Sequence, residues 1–169
     1  MPSTVKGYKP EAPVFLGTFE VTDDSLLISD PSYALGTWCT GVVEGVRQGT
    51  WNAYVACGET SSGRRCWELI AMHDGYPETL QMTEKTNIDV GVDSGQAGIF
   101  SVGAYNTDSE AWYGLCCEGT SRAEQGIAIT GGCVSSAGFG DGSYECFIAR
   151  DGTTKTVGVK IVFINDDLL

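Results

Sequence analysis

Short apolar runs with a two-residue period recur along this chain and limit its fold more than any other feature. In one run, Trp51, Ala53, Val55 and Cys57 are predicted to share one face of a strand. About nine such runs are separated by glycine-containing turns, and no segment sustains a 3.6-residue period. This pattern predicts an all-β fold, an antiparallel β-sandwich or a partly closed barrel with little helix.

The chain length of 169 residues fits one domain. Residues 1–13 hold three of the five prolines and are predicted to form an extended N-terminal arm. Residues 14–169 are predicted to form a single β domain, since no linker or repeat divides them.

Several segments carry specific expectations. Thr50–Cys57 and a return strand that includes Arg65 are predicted to form a hairpin with a longer loop, Gly58–Gly63. Asp151-Gly152 is predicted to be the two-residue turn of another hairpin. Ala111–Cys117 and Gly126–Val134 are each read as one strand. Residues 73–87 lack a period and are read as a surface excursion.

The stretch from Gly91 to Phe100 (G-V-D-S-G-Q-A-G-I-F) is unusual for a plain strand or a plain loop. It combines three glycines and several polar residues with buried-type apolar residues. The sequence therefore predicts a strand, a sharp bend and a second strand, with Asp93 and Gln96 held in fixed positions at the bend.

Two other stretches, Ser29–Tyr33 and Gly138–Tyr144, share this character, because each places an aspartate in a turn bounded by glycine or proline. Tyr33 and Tyr144 follow these aspartates and would either stack on a ligand or pack at the sheet edge. The predicted ligand-binding residues are Asp30, Tyr33, Asp93, Ser94, Gln96, Asp141 and Tyr144.

Asp30, Asp93 and Asp141 are also candidate ligands for Ca²⁺ or Mg²⁺, since carboxylates on stiff turns suit hard cations. The alternative is that each carboxylate accepts hydrogen bonds from nearby backbone N–H groups. No D-x-D-x-D-G loop is present, so the motif specific to a calcium loop is missing.

No catalytic residue is predicted. Val92-Asp93-Ser94-Gly95 matches the apolar-Asp-Ser-Gly triplet of aspartic peptidases, but one copy would require a homodimer. The sole histidine, His73, has no spacing that links it to a cysteine nucleophile. The seven cysteines form no C-x-x-C pair and are expected to be reduced core residues.

The net charge of −12 disfavours nucleic acid and anionic membrane as partners, and permits basic proteins or divalent cations. Residues 1–13 contain no apolar segment typical of a signal peptide, and no apolar run reaches the roughly 18–20 residues that span a bilayer. A cytoplasmic protein without nucleic-acid or membrane partners is therefore expected.

Taken in order, I-S-D-P-S-Y (Ile28–Tyr33), G-V-D-S-G-Q-A-G-I-F and G-F-G-D-G-S-Y resemble the motifs of an uncharacterised, mainly bacterial family of unknown function. The resemblance covers roughly residues 15–165. Family members often carry an aspartate after the central I-F pair, where this chain has Ser101. The resemblance implies the domain boundaries and the three motifs but no activity.

The expected function is that of a non-catalytic binding or assembly module. Its partner would be another protein or a second copy of the chain, and an immunity-type protein covering a basic toxin surface fits the same charge. The alternative is a hydrolase, with or without a divalent ion, built on Asp93 and Asp141.

Overall fold

A computed structural model describes residues 8–165, which form eleven strands in two antiparallel sheets and one α-helix. Residues 1–7 of the predicted arm and residues 166–169 lie outside the described residues. The elements are β1 (Val14–Val21), β2 (Ser25–Ser29), β3 (Gly41–Glu44), β4 (Gly49–Thr60), β5 (Gly63–His73), β6 (Glu84–Val92), β7 (Gln96–Ser101), α1 (Glu110–Thr120), β8 (Gly126–Ile129), β9 (Gly132–Ser136), β10 (Gly142–Arg150) and β11 (Thr156–Val162).

The two sheets pack face to face as a sandwich, which confirms the predicted fold class. The larger sheet has the order β1-β4-β5-β11-β10-β6, and the smaller has the order β3-β2-β7-β9-β8. Every ladder between neighbouring strands is antiparallel, and the sheets do not close into a barrel.

The main core lies between the sheets. The predicted inward face of β4 is confirmed, because Trp51, Ala53, Val55 and Cys57 are all buried there. The hairpin of β4 and β5 is confirmed as well, although its turn is only the two residues 61–62. Two of the largest fully buried side chains, Trp51 and Trp67, thus lie in the core between the two sheets.

The outer face of the larger sheet is partly covered by the segment that precedes β6. Met82 is buried and clusters with Ile70 and Met72 of β5. A Cβ added to Gly158 of β11 would lie 2.7 Å from the Met82 methyl group, so the glycine makes room for it. The prediction of a surface excursion over residues 73–87 is therefore wrong at Met82, which is buried, and from Glu84, where β6 begins.

The prediction of a strand over Ala111–Cys117 is wrong, because these residues belong to α1. The Ser109 hydroxyl accepts a hydrogen bond from the Trp112 N–H (3.2 Å) and caps the first turn. Trp112 and Cys116 are four residues apart and pack together on the outer face of the smaller sheet. Short apolar runs fit a buried helix as well as a strand.

Two other turns differ from expectation. Gly126–Val134 is not one strand but the hairpin of β8 and β9, whose turn has Gly131 at φ 75°. The hairpin at Asp151-Gly152 is confirmed, but its loop spans residues 151–155 rather than two residues. The Asp151 carboxylate organises that loop by accepting hydrogen bonds from the N–H groups of Thr153 (2.8 Å) and Lys155 (3.0 Å).

The central G-V-D-S-G-Q stretch is a strand, a bend and a strand, as predicted. Its two strands belong to different sheets: β6 is an edge of the larger sheet, and β7 is the centre of the smaller one. Residues 93–95 therefore carry the chain from one layer of the sandwich to the other, with Gly95 at φ 73°. No helix within residues 8–165 is long and apolar enough to cross a bilayer.

Glu68 on β5 generates a prediction about pH. Its carboxylate lies 3.9 Å from the Lys160 ammonium, yet burial raises its pKa above the ordinary 4.5. Because the folded chain binds this proton more tightly than the unfolded chain, the stabilisation is present below pH 4.5 and is lost as pH rises. We expect Glu68→Gln to melt at a higher temperature than wild type at pH 7, with the difference vanishing at low pH.

Thermal melts at both ends of that pH range measure this difference. Glu59→Gln is the matched control, since it removes an exposed carboxylate from the same hairpin. A Glu68→Gln chain that is less stable than wild type at pH 7 would show that the Lys160 ion pair outweighs the burial of the charge.

Candidate functional site

The Asp30 carboxylate, directly after β2, is the centre of the site. It is fully buried. Its Oδ1 accepts hydrogen bonds from the Ser32 N–H, the Ser32 hydroxyl and the Ser94 hydroxyl, each at 2.7 Å. Its Oδ2 accepts from the N–H groups of Asp93 and Ser94, each at 2.8 Å. We call this arrangement of Asp30, Ser32, Asp93 and Ser94 the Asp30 clamp.

The backbone around Asp30 is fixed by a second set of hydroxyl groups. The Ser29 hydroxyl donates to the Asp30 carbonyl (2.8 Å), and the Tyr105 hydroxyl lies within 2.9 Å of that carbonyl and 2.6 Å of the Tyr33 carbonyl. Burial raises the pKa of Tyr105 to about 12, so its phenol stays a donor. Sequence reasoning missed Tyr105, which follows β7 in an irregular stretch without a motif.

The third motif joins the same bend from the other side. Asp141 Oδ1 accepts a hydrogen bond from the Gly95 N–H (3.1 Å), and the Gly95 carbonyl accepts one from the Ala137 N–H (2.9 Å). The Tyr144 hydroxyl donates to the carbonyls of Ala137 and Gly140. The structure therefore brings all three sequence motifs together at the point where the chain changes sheets.

An open pocket of about 490 Å³ lies beside this junction. Trp38 lines the outer edge of this pocket, and the residue is 92% exposed to solvent. Tyr33, Asp93 and Asp141 supply one residue from each motif. The remaining lining residues are Cys39, Asp89, Gly91, Val92, Gly142 and Ser143.

The seven predicted site residues divide into two groups. Tyr33, Asp93 and Asp141 line the pocket, whereas the other four lie outside its lining and support the junction. Asp30 and Ser94 belong to the Asp30 clamp, and Gln96 is buried with its amide 3.5 Å from the Cys117 sulfur. The Tyr144 ring packs edge-on against Phe163, with ring centroids 5.1 Å apart. For Tyr144 the packing interpretation is therefore the one that the structure supports.

The pocket is acidic. Asp89, Asp93 and Asp141 are all exposed, and within the described chain no lysine or arginine lines the pocket. The Tyr33 hydroxyl donates to Asp93 Oδ2 (2.8 Å). Burial, followed by this contact with Asp93, raises the pKa of Tyr33 well above its ordinary value, so the phenol remains a neutral donor. Three carboxylates therefore face solvent in a lining that holds no lysine or arginine. Lys85, outside the lining, is ion-paired with Glu145 and also interacts electrostatically with Asp89.

The loop that carries Trp38 is held against β6 by a glycine. The Gly91 N–H donates to the Cys39 carbonyl (2.9 Å), and a Cβ on Gly91 would lie 2.7 Å from the Cys39 Cβ. Only glycine allows this approach. Residues 34–49 have no hydrophobic period, and the one sequence signal that could have pointed to this loop is a tryptophan within a glycine-rich stretch.

The predicted Ca²⁺ or Mg²⁺ site is not assembled by these aspartates alone. Among residues 8–165, no group of three or more His, Cys, Asp or Glu side chains is placed to hold a metal ion. Both Asp30 carboxylate oxygens already accept hydrogen bonds from backbone N–H groups. This is the alternative to metal binding that was stated in the sequence analysis. His73 lies outside the pocket lining, where its Nδ1 accepts a hydrogen bond from the Gly75 N–H (3.0 Å). Metal binding stays a prediction.

Comparisons with protein-family models, with curated proteins and with solved structures find no match to this chain. The resemblance to an uncharacterised family therefore stays a prediction, and the function has to be inferred from the geometry of the site.

The Asp30 clamp makes a testable prediction about stability. In Asp30→Asn, the side-chain amide would face backbone N–H donors that now point at a carboxylate. Since hydrogen bonds to a charged group are worth about 1.5–3 kcal/mol each, we expect a loss of about 3 kcal/mol or more in the free energy of unfolding. Denaturant unfolding followed by tryptophan fluorescence measures this loss.

Asp151→Asn is the matched control. Asp151 also accepts hydrogen bonds from neighbouring N–H groups, but all its turn donors belong to its own exposed loop. Equal losses in the two variants would mean that Asp30 serves only its local turn and does not join the motifs.

Proposed function

We propose that this chain is a non-catalytic binding module whose acidic pocket receives a lysine or arginine side chain of a basic protein partner. The observation that supports this proposal most is Trp38, which is almost fully exposed at the edge of a pocket lined by three aspartates. An exposed tryptophan in this setting offers an aromatic face to a cation that the carboxylates attract.

The apolar character of the Trp38 loop supports a protein partner over a free ion. Leu35, in the same loop, is 59% exposed, so two large apolar side chains face solvent within four residues. Tryptophan and arginine are enriched at the centres of protein interfaces, where apolar contact accompanies charge pairing. A hydrated metal ion would gain nothing from contact with the apolar side chains of Leu35 and Trp38.

Charge supports a basic partner over a second copy of the chain. The net charge of −12 repels another copy at long range and attracts a basic surface. Complementary charge of this kind mainly raises the association rate and selects the partner. Self-association through this pocket is therefore less favoured than binding of a basic protein.

A hydrolase built on Asp93 and Asp141 is the second candidate, because both carboxylates line one pocket. Their present contacts are structural: Asp93 accepts a hydrogen bond from the Tyr33 hydroxyl, and Asp141 accepts one from the Gly95 N–H. Within residues 8–165, no hydrogen bond reaches the other oxygen of either carboxylate, Asp93 Oδ1 or Asp141 Oδ2. Binding without turnover of the probe separates the binding module from this alternative.

Hexa-arginine is the probe for the proposed function. We expect it to bind the wild-type chain and to quench tryptophan fluorescence, and we expect Trp38→Ala and Asp89→Asn each to weaken binding about tenfold by calorimetry, a change of about 1.4 kcal/mol. Neither side chain is buried, so neither variant should lower the melting temperature appreciably.

Glu59→Gln is the matched control, because it removes one exposed charge outside the pocket lining. If Glu59→Gln weakens binding as much as Asp89→Asn, and Trp38→Ala has no effect, the peptide senses only the net charge and the proposed site is wrong. Cleavage of the probe that stops in Asp93→Asn would favour the hydrolase instead.

A further inference from the structure

Cys57 and Cys66 occupy directly opposite positions in the hairpin of β4 and β5. Opposite residues of an antiparallel pair project to the same face of the sheet. Both side chains are buried in the core cluster between the two sheets, and each is a free thiol. The two side chains are thus neighbours in the core, although eight residues (58–65) lie between them in the sequence.

The backbone pairing of Cys57 and Cys66 is of the type whose usual spacing suits a disulfide. The Cys57 carbonyl accepts a hydrogen bond from the Glu11 N–H (2.7 Å), so it points away from β5. Cys57 and Cys66 are therefore a non-hydrogen-bonded pair, in which opposite Cα atoms lie about 4.5 Å apart. Disulfides span Cα–Cα distances of about 4.4–6.8 Å.

The two thiols have different chemical character. The Cys66 side chain, with a smaller contribution from the Arg64 charge, lowers the pKa of the Cys57 thiol below its ordinary value of 9.0 despite burial. Burial raises the pKa of Cys66. Cys57 is also the less enclosed of the two, with 3% of its surface accessible against none for Cys66. Cys57 is thus the more acidic and the more accessible of the two thiols, which suits it to attack, and Cys66 is the thiol placed to resolve.

The remaining core cysteines lack this arrangement. Cys133 and Cys146 are fully buried, and burial raises the pKa of both thiols, that of Cys146 to about 12. Cys116 and Cys117 are adjacent residues of α1, whose side chains point in different directions around the helix. Within the described chain, Cys57 and Cys66 are the two cysteines that are paired across a ladder.

We propose that Cys57 and Cys66 form an oxidation site, where hydrogen peroxide converts the two thiols into an intramolecular disulfide. The Cys57 thiolate attacks one peroxide oxygen, which breaks the O–O bond, gives a sulfenic acid and releases hydroxide. The Cys66 thiol then attacks the Cys57 sulfur and expels water. The two sulfurs together lose two electrons, and the peroxide is reduced to two molecules of water once the hydroxide is protonated.

The disulfide would link β4 to β5 near the turn of their hairpin. Residues 8–13, the segment before β1, are attached to this end of the hairpin through Glu11. Glu11 is bound there twice, by its N–H to the Cys57 carbonyl and by its carboxylate to Arg64 at 2.6 Å. Oxidation is therefore expected to stabilise the attachment of residues 8–13, independently of whether the acidic pocket binds a basic partner.

Peptide mapping of the full chain tests the proposal. The reduced protein is treated with a small excess of hydrogen peroxide, its free thiols are blocked with N-ethylmaleimide, and it is digested with trypsin without reduction. Trypsin cleaves after Arg64 and Arg65, so residues 48–64 and 66–85 become separate peptides. We expect these two peptides to remain joined by a disulfide as the main oxidised product, and to separate after dithiothreitol treatment.

Two variants sharpen the result. Cys66→Ser should abolish the linked peptide and leave a Cys57 sulfenic acid that dimedone traps, whereas Cys146→Ser should retain the link. The wild-type map alone is decisive if a variant fails to fold. Recovery of Cys57 and Cys66 as blocked thiols at a peroxide concentration that oxidises Cys117, or a link joining other cysteines, would overturn the proposal.

Discussion

The rest of the site depends on one buried negative charge. A carboxylate removed from water is tolerated only where donors replace its hydration, and Asp30 receives five such hydrogen bonds. Three come from Asp93 and Ser94, more than sixty positions along the chain. The end of β2 and the bend between β6 and β7 are therefore joined by hydrogen bonds to a buried carboxylate, in addition to the β2–β7 ladder and the apolar core.

This junction determines where the pocket lies. The bend at residues 93–95 is where the chain passes from the larger sheet to the smaller one, and Asp141 bonds to the same bend. Asp93 and Asp141 are thereby presented to solvent side by side, while Gly91 draws the Trp38 loop against β6. The hydrogen-bonded bend between the two sheets thus lies beside an exposed tryptophan and three carboxylates. This combination is suited to recognising a cation on another protein.

The features that could be predicted from the sequence are those set by interactions between residues close together in the chain. Alternation in β4 identified its buried face, and the turn residues of the three motifs identified Asp30, Asp93 and Asp141. Sequence reasoning missed what depends on tertiary contacts: the run at Ala111–Cys117 is a helix because it covers the smaller sheet, a preference that apolar residues alone do not encode. Trp38 was missed because its loop is positioned by a close approach to Gly91, which no periodicity reveals.

Amide hydrogen exchange at Asp93 and Ser94 tests the central claim most directly. Exposed turn amides normally exchange fast, but these two N–H groups point at the buried Asp30 carboxylate. Exchange by NMR should therefore be as slow for Asp93 and Ser94 as for the amides of β7, and should become fast in Asp30→Asn. Exchange in the wild-type chain as fast as that of Gly152, in the exposed loop between β10 and β11, would show that Asp30 does not hold the bend.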